Sequence, residues 1–294
     1  MTDLHHVVLP NRSIVSVSGD DAAEFLQGLI TNDMELVSRD RAIYAALLTP
    51  QGKYLHYFFV MAAENGFYLD CEHQRRQDLI TRLSRYRLRA QVDIQDSGTE
   101  FEIYALTGSD VMARLGLTGE EGAATSFAGG LVYGDPRAQA LGARACLPAG
   151  TGEQSLLEAG FEIGDLAPYD AQRFSLGIAD GTPEIDPEKS YPMEYGLDRL
   201  NGVSFSKGCY VGQEVTVRMK NRDLVRKCLV SVKIDGPPPA IGAILDLDGV
   251  NAGELRGVTG DRGLALVRKD LLDQAVSSGK PFKTDGVELH PTKI

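Results

Sequence analysis

One short segment of the chain brings together a thiol, an amine, an amide and a carboxylate. Residues 207–214 read Lys-Gly-Cys-Tyr-Val-Gly-Gln-Glu, and Cys209 stands between Gly208 and Gly212. Glycine lacks a Cβ, so the backbone at these positions can approach a bound molecule closely. A cysteine thiolate is a nucleophile and a metal ligand, and a neighbouring cation such as Lys207 favours it. We therefore take this segment as the candidate working site and Cys209 as its reactive residue.

The pattern around the thiol fits two kinds of local structure. Val211, Val215 and Met219 recur at the spacing of four that is typical of a helix, but the alternation over the same stretch also fits a strand. In the helical interpretation Cys209 lies at the helix N-terminus beside Lys207, and both the dipole and the ammonium would lower the thiol pKa. The alternative interpretation is a packed, inert thiol at a loop junction.

The remaining cysteines do not extend this site. Cys71, Cys146 and Cys228 are scattered, and no pair has the short spacing that zinc and iron–sulfur sites use. The five histidines form no paired motif. Neither a resident metal centre nor a disulfide framework is expected.

Charge is distributed unevenly along the chain. The net charge of −11 argues against general nucleic-acid binding. Residues 150–198 carry 11 acids and 2 bases, whereas residues 199–227 carry 7 bases and 2 acids, and residues 75–89 hold six arginines and one acid. The basic stretches are either solvated faces or the lining of a groove for an anionic ligand.

Neither a membrane span nor a secretory signal is expected. No segment approaches the roughly 18 apolar residues that cross a bilayer. The first ten residues lack a basic region followed by an apolar run. The sequence therefore predicts a protein of the compartment in which it is made, the cytoplasm.

The elements that must position the candidate site follow a regular order. Residues 13–94 predict β-α-β-β-β-α-β, with helices over residues 22–30 and 73–86. The last strand of this cycle is expected over residues 88–94, with Leu88 facing inward and Arg87 and Arg89 facing outward. A similar cycle follows to about residue 178.

The end of the chain has a different character. Short strand-like runs separated by turn residues follow residue 222 and predict a small β-barrel. The predicted fold class is α+β, with an N-terminal α+β domain over residues 1–97 and a second over residues 98–222. The second domain carries residues 207–214, and the barrel takes residues 223–294.

Several motifs resemble those of one known family. Residues 207–214 match K-G-C-[FY]-x-G-Q-E of the YgfZ family at every position, and Arg218 follows at the family's place. Residues 25–33 are similar to its F-L-Q-x-L-x-T-N-D stretch, and residues 86–92 to its Y-x-L-R-x-x-V stretch. A D-x-R…G-x-R pattern is also present, at Asp135, Arg137, Gly142 and Arg144. The resemblance covers most of residues 13–227.

This resemblance implies a fold and a function. YgfZ-like proteins share their fold with the T-protein of the glycine cleavage system: two α+β, ferredoxin-like domains and a C-terminal barrel around a channel for tetrahydrofolate. It implies a role in assembling or maintaining [4Fe–4S] clusters. The implied partners are iron–sulfur assembly proteins and client enzymes such as radical-SAM proteins, among them one that modifies tRNA, without direct contact to nucleic acid or membrane.

The resemblance also nominates site residues. Cys209 is expected to be the reactive residue, and the expected folate-site residues are Asn32, Tyr44, Arg87, Arg89, Arg144, Lys207, Gly208, Tyr210, Gly212, Gln213, Glu214 and Arg218. Several have a plainer alternative. Asn32 could cap a helix end, Tyr44 could pack in the core, and solvent is the default for Arg87 and Arg89. The pair at the end of the motif, 213 and 214, could hold the loop through backbone amides.

Aminomethyl transfer, the T-protein reaction, is the alternative function. T-proteins carry an aspartate on the strand that here reads His56-Tyr57, and their pteridine-pairing carboxylate falls near Arg144. Without these carboxylates the electrostatic and acid–base roles have no evident occupant. The sequence therefore disfavours a classical aminomethyltransferase. A third hypothesis is a protein-binding scaffold with a vestigial pocket.

Overall fold

The computed structural model describes residues 3–182 and 184–292 and shows a chain built mainly from strands. The strands are β1 (His5–Val8), β2 (Arg12–Ser18), β3 (Ile43–Leu48), β4 (Tyr54–Ala63), β5 (Gly66–Glu72), β6 (Asp93–Asp96), β7 (Phe101–Thr107), β8 (Ala124–Phe127), β9 (Gly130–Gly134), β10 (Ala143–Pro148), β11 (Glu162–Ile163), β12 (Lys227–Asp235), β13 (Ile244–Leu247), β14 (Val250–Thr259), β15 (Arg262–Arg268), β16 (Phe282–Thr284) and β17 (Val287–Pro291). The helices are α1 (Ala22–Gln27), α2 (Arg76–Tyr86), α3 (Val111–Arg114), α4 (Gly152–Glu158), α5 (Leu166–Ser175), α6 (Gln213–Asn221) and α7 (Lys269–Ser278). Among the described residues, no helix is both long and apolar enough to span a membrane.

One compact unit contains two sheets. It takes residues 1–50, 55–166 and 198–213. Its five-stranded sheet has the order β3-β4-β5-β2-β6, and its six-stranded sheet has the order β11-β1-β7-β10-β9-β8. This α+β content agrees with the predicted fold class. The predicted domain limits at 97/98 and 222/223 stay predictions.

The five-stranded sheet is buried on both faces over much of its length. β3 is buried at each position, as is β4 from Tyr54 to Met61. This explains why both strands read as continuous apolar runs rather than as alternating patterns. One face packs on Leu26 of α1 and on Leu79 and Leu83 of α2. Both helices are present where the sequence predicts them, but α1 ends three residues earlier than predicted and α2 begins three residues later.

The second unit is built around the predicted barrel. It takes residues 51–54, 167–197 and 214–294. Its closed barrel has the order β12-β15-β14-β13-β16-β17, so the predicted C-terminal barrel is confirmed. Val230, Val232 and Ile234 alternate into the barrel core, as the period of a strand requires. Helix α7 was not predicted, although Leu271 and Ala275 recur at helical spacing and are buried.

The strand predicted over residues 88–94 is wrong over residues 88–92. Strand β6 begins only at Asp93. Residues 87–90 form a turn closed by a 2.8 Å hydrogen bond from the Ala90 amide to the Arg87 carbonyl. A contact distant in sequence holds the chain after this turn: the Asp21 carboxylate accepts a 2.7 Å hydrogen bond from the Gln91 amide. Leu88, predicted to face inward, is 90% exposed.

Candidate functional site

Cys209 lies in an exposed loop that ends at helix α6. The thiol is exposed, whereas Cys71 and Cys146 are buried. The helical interpretation of the segment is correct, but α6 begins at Gln213, four residues after Cys209. The thiol therefore does not lie in the first turn of the helix, where the dipole would act on it.

The loop presents the thiol between anchored residues. Tyr210 is buried, and Val211 packs against the core of the five-stranded sheet. The Val211 amide donates to the Gly28 carbonyl at 3.3 Å. Gly212 has a φ of +85°, which favours glycine. Apart from Gly208 and its two chain neighbours, no heavy atom of the described residues lies within 4 Å of the place where a Cβ on Gly208 would stand. Space for a partner molecule is thus open on the side of Gly208.

Lys207 holds the loop rather than the thiol. Its ammonium is buried and donates three hydrogen bonds, to the carbonyls of Gln27 at 2.8 Å, Ile30 at 2.8 Å and Asn32 at 2.7 Å. Gln27 is the last residue of α1, so the lysine satisfies one carbonyl that the helix end leaves without an intrahelical partner and two more in the segment that follows. Burial lowers the pKa of the Lys207 ammonium to about 8.

Hydrogen bonds fix the stretch that accepts from this lysine. The Gln27 side-chain amide donates to the Asp33 carboxylate at 2.8 Å, and the Met34 backbone amide donates to Gln27 Oε1 at 2.8 Å. Thr31 Oγ1 donates to the Gly202 carbonyl at 2.6 Å and thus joins this stretch to the approach of the cysteine loop. The two motifs that are farthest apart in the sequence therefore form one structural unit.

Asn32 and Tyr44 line a cavity of about 340 Å³ beside the approach to the cysteine loop. Its wall consists of Asn32, Leu36, residues 41–44, Glu121, Pro136, Asn201 and residues 203–206. Asn32 is buried and uses its amide to donate to the carbonyls of Tyr44 and Asn201, each at 2.8 Å. Asn32 therefore fixes the cavity wall, and a ligand would meet mainly the other lining groups. A larger cavity of about 490 Å³ lies around Tyr68 and Phe101 and includes none of the predicted site residues.

Arg144 lies in a buried network of charges. It is fully buried and donates to Asp70 Oδ2 at 2.7 Å, while Arg12 Nε donates to Asp70 Oδ1 at 2.7 Å. Arg137 pairs with Asp135 at 2.8 Å. The guanidinium groups of all three arginines lie over the Phe59 ring, at 4.2 to 5.6 Å from its centre.

This network gives a structural meaning to the D-x-R…G-x-R pattern. Both of its arginines and its aspartate are in the core, and Gly142 has a φ of +77° with the Leu106 carbonyl oxygen only 2.3 Å from where a Cβ would stand. The sequence marks these residues but does not indicate that they neutralise one another. The Arg144 guanidinium is engaged by Asp70, so the proposed contact to folate has a strong competitor.

The remaining predicted residues lie outside the cavity wall. Arg87 and Arg89 are exposed in the turn after α2. Glu214 and Arg218 are exposed on α6 and form a loose i,i+4 pair at 3.9 Å. Gln213 Nε2 donates to the Gly208 carbonyl at 3.4 Å, consistent with the alternative in which it holds the loop.

His56, which the sequence comparison placed at the position of the T-protein acid, has a carboxylate partner that the sequence did not reveal. His56 is buried on β4, and its Nε2 lies 3.0 Å from Asp78 Oδ2 on α2. Burial lowers the pKa of His56. The hydrogen bond from His56 is the leading cause that holds the pKa of Asp78 well below its usual range, and Arg82 adds to it. The imidazole is thus neutral and is committed to a structural pair.

The His56–Asp78 pair predicts acid sensitivity. Both groups bind fewer protons in the folded chain than in the unfolded chain, so the free energy of unfolding falls as the pH falls below about 6.5. We expect the urea midpoint to decrease from pH 7 to pH 5 and to decrease less in His56→Gln. Equal pH dependence of the two proteins would contradict this assignment.

Comparisons with known proteins agree with this architecture. A family model described as the CAF17 C-terminal beta-barrel domain matches residues 226–294. The chain is 32% identical over 277 residues to the Homo sapiens protein named "Iron-sulfur cluster assembly factor IBA57, mitochondrial", covering 88% of this chain and 76% of that protein. It is 34% identical over 286 residues to the Mus musculus protein of the same name, covering 90% of this chain and 77% of that one.

A solved structure shows the same fold. The glycine cleavage system aminomethyltransferase T from Bartonella henselae superposes with a TM-score of 0.77 at 18% identity, covering 100% of this chain and 86% of that one. The predicted T-protein-like fold is therefore confirmed. The predicted cytoplasmic location is contradicted, because the relatives from human, mouse and Neurospora crassa are all named as mitochondrial proteins.

Proposed function

Since the chain belongs to the IBA57 family of iron–sulfur cluster assembly factors, we propose that it assists cluster assembly and that Cys209 is the residue that contacts the cluster. The observation that carries the proposal is the exposed Cys209 thiol in a loop that the buried residues Lys207 and Tyr210 hold in place. Its motif also resembles that of YgfZ proteins, which extends the proposal to [4Fe–4S] clients such as radical-SAM enzymes.

The proposed role is transfer, with the cluster as cargo. Iron–sulfur clusters are held by several cysteine thiolates, so one cysteine supplies one ligand and the others must come from a partner. Within residues 3–182 and 184–292, no three histidine, cysteine, aspartate or glutamate side chains are grouped so as to hold a metal ion. The open space beside Gly208 gives a partner's cluster access to the thiol.

Replacing Cys209 by alanine tests the role of the thiol. We expect cells that carry Cys209→Ala as their only copy to lose at least tenfold in activity of a [4Fe–4S] client enzyme, while the melting temperature of the purified variant is unchanged. An exposed side chain contributes little to packing, which is why the fold should be unaffected. Activity is measured on a purified client together with its iron and sulfide content.

The matched control is Cys228→Ala, which removes the half-buried cysteine of the barrel. It should leave client activity near the wild-type level. Full client activity in Cys209→Ala, or an equal loss in both variants, would sink the proposed role.

The proposal also includes tetrahydrofolate as a ligand of the 340 Å³ cavity. Ligand sites typically measure about 300–1,000 Å³, so the cavity suits the pterin ring system. The Glu121 carboxylate accepts from the Asn201 side-chain amide with one oxygen and would accept a pterin N–H with the other, and Arg41 would face the glutamate carboxylates. Tyr44 borders the cavity but is only 2% exposed, because its ring packs against Tyr57 and Phe59. When bound, tetrahydrofolate supplies a carrier for one-carbon groups.

Calorimetry tests the ligand directly. Titration of the full chain with tetrahydrofolate should show one site, and Glu121→Gln should weaken it at least tenfold, because a neutral amide accepts a hydrogen bond more weakly than a carboxylate does. Glu120→Gln, one residue earlier in the same loop, is the control. Absence of measurable binding would leave the scaffold hypothesis. Turnover of a lipoyl-bound aminomethyl substrate would instead favour the T-protein reaction, and we expect none.

A further inference from the structure

The end of α2 and the turn that follows it present an exposed leucine among arginines. We define the Leu88 turn as residues 84–89, all of which are exposed. Leu88 is 90% exposed and Tyr86 is 39% exposed. In the described part of the chain, no hydrogen bond or ion pair engages the guanidinium groups of Arg85, Arg87 or Arg89. Three cations without a side-chain partner among the described residues therefore lie within three positions of one exposed apolar side chain.

Leu88 is not needed by the fold. Its φ of +43° lies in the left-handed region, where an L side chain with a Cβ is disfavoured and glycine or asparagine is preferred. Because the side chain is 90% exposed, it contributes almost nothing to packing. At this position a large apolar residue adopts an unfavourable backbone conformation and gains no packing in return. Its presence therefore indicates a functional requirement rather than a contribution to stability.

The Leu88 turn is fixed at both ends. Leu83 anchors the last turns of α2 in the core. On the other side, the Gln91 amide donates to the Asp21 carboxylate at 2.7 Å, and a Cβ on Gly19 would stand 2.2 Å from the Gln91 carbonyl oxygen. Such close packing holds the turn as a rigid projection, so little conformational entropy would be lost when it binds.

We propose that the Leu88 turn docks a partner protein whose surface offers an apolar socket ringed by carboxylates. Leu88 would fill the socket, and the three arginines would pair with the ring. A protein fits better than RNA or an anionic membrane. The chain carries a net charge of −11, so an extended polyanion would be repelled by the rest of the surface, whereas a local acidic patch meets only the turn. This surface requires neither folate nor the Cys209 thiol and goes beyond the function proposed above.

Methyl and arginine NMR spectra of the full chain test the proposal. The probe is a synthetic 16-residue peptide in which a central Phe-Leu pair supplies the apolar contact for Leu88. Its aspartate and glutamate side chains supply the carboxylates for the arginines. We expect it to shift the Leu88 methyl signals and the Nε–H signals of Arg85, Arg87 and Arg89, and to bind at least tenfold more weakly in 0.5 M salt.

Leu88→Asn separates docking from stability. It should weaken the peptide at least fivefold while leaving the melting temperature unchanged or raised, because asparagine accepts the left-handed conformation. Ile241→Asn, in a turn of the second unit where the isoleucine is 57% exposed, is the matched control and should bind the peptide like wild type.

Three results would overturn the proposal. The first is no shift at the Leu88 turn, and the second is equal peptide affinity of wild type and Leu88→Asn. The third is tighter binding at these residues of either phosphatidylglycerol vesicles or a 20-nucleotide single-stranded RNA. None of these results depends on cluster transfer, so they leave the role of Cys209 to its own test.

Discussion

Replacing Asp70 by alanine is expected to lower the free energy of unfolding by about 3–5 kcal/mol. Asp70 is fully buried and joins Arg12 and Arg144, each at 2.7 Å, and it accepts a further bond from the Tyr133 hydroxyl at 3.3 Å. Without its carboxylate, two guanidinium groups stay in the core with their main counter-charge gone. Removal of one partner of a buried pair costs far more than the pair itself contributes.

The measurement is urea unfolding followed by near-ultraviolet circular dichroism. Asp96→Asn is the matched control, because Asp96 pairs with Arg76 at 2.8 Å near the surface. Exposed pairs contribute about 0–1 kcal/mol, so this variant should stay close to wild type. A loss at Asp70 no larger than that at Asp96 would show that the buried arginines are compensated by other groups.

Lys207→Met should lower the free energy of unfolding by about 3 kcal/mol and abolish function while leaving the thiol in the sequence. Methionine keeps the length of the side chain but removes a charged donor of three hydrogen bonds, and hydrogen bonds to charged groups contribute about 1.5–3 kcal/mol each. The estimate lies below their sum because water can reach some carbonyls once the loop loosens.

The readouts are urea unfolding and the client activity used for Cys209→Ala. Lys220→Met, on the exposed face of α6, is the control and should change the stability by less than about 0.5 kcal/mol. Lys207→Arg should not restore function, since a planar guanidinium cannot direct three donors from one atom. Wild-type client activity in Lys207→Met would show that the hydrogen bonds of Lys207 are not needed to position the Cys209 thiol.

The local parts of the site were predictable from sequence. Gly212 adopts the positive φ that its type favours. The spacing of the apolar residues allowed the helix over residues 213–221 but equally allowed a strand, and the structure decides for the helix. The barrel was predictable because its strands alternate and are separated by turns. Each of these features depends on neighbours within a few positions.

Features that depend on distant partners were not predictable. The pattern of alternation over residues 88–94 did not reveal that a carboxylate 70 positions away accepts a hydrogen bond from the Gln91 amide. Lys207 was expected to act on the adjacent thiol, whereas its partners are carbonyls of residues 27–32. Arg144 was expected at a ligand, and only the folded chain shows Asp70 beside it. Charge in a sequence does not reveal which opposite charge it will meet.

The three hydrogen bonds from Lys207 to the carbonyls of residues 27–32, which we call the Lys207 clasp, also set when the cysteine loop can take up its position during synthesis. The Lys207 clasp joins positions 175 to 180 residues apart, so the loop-closure entropy must be overcome before it forms. At a synthesis rate of about 5–20 residues per second, the early helix waits roughly 10–35 s for its lysine. During that interval the carbonyls at its end face water. Cys209 thus becomes positioned only after nearly the whole first unit has been synthesised.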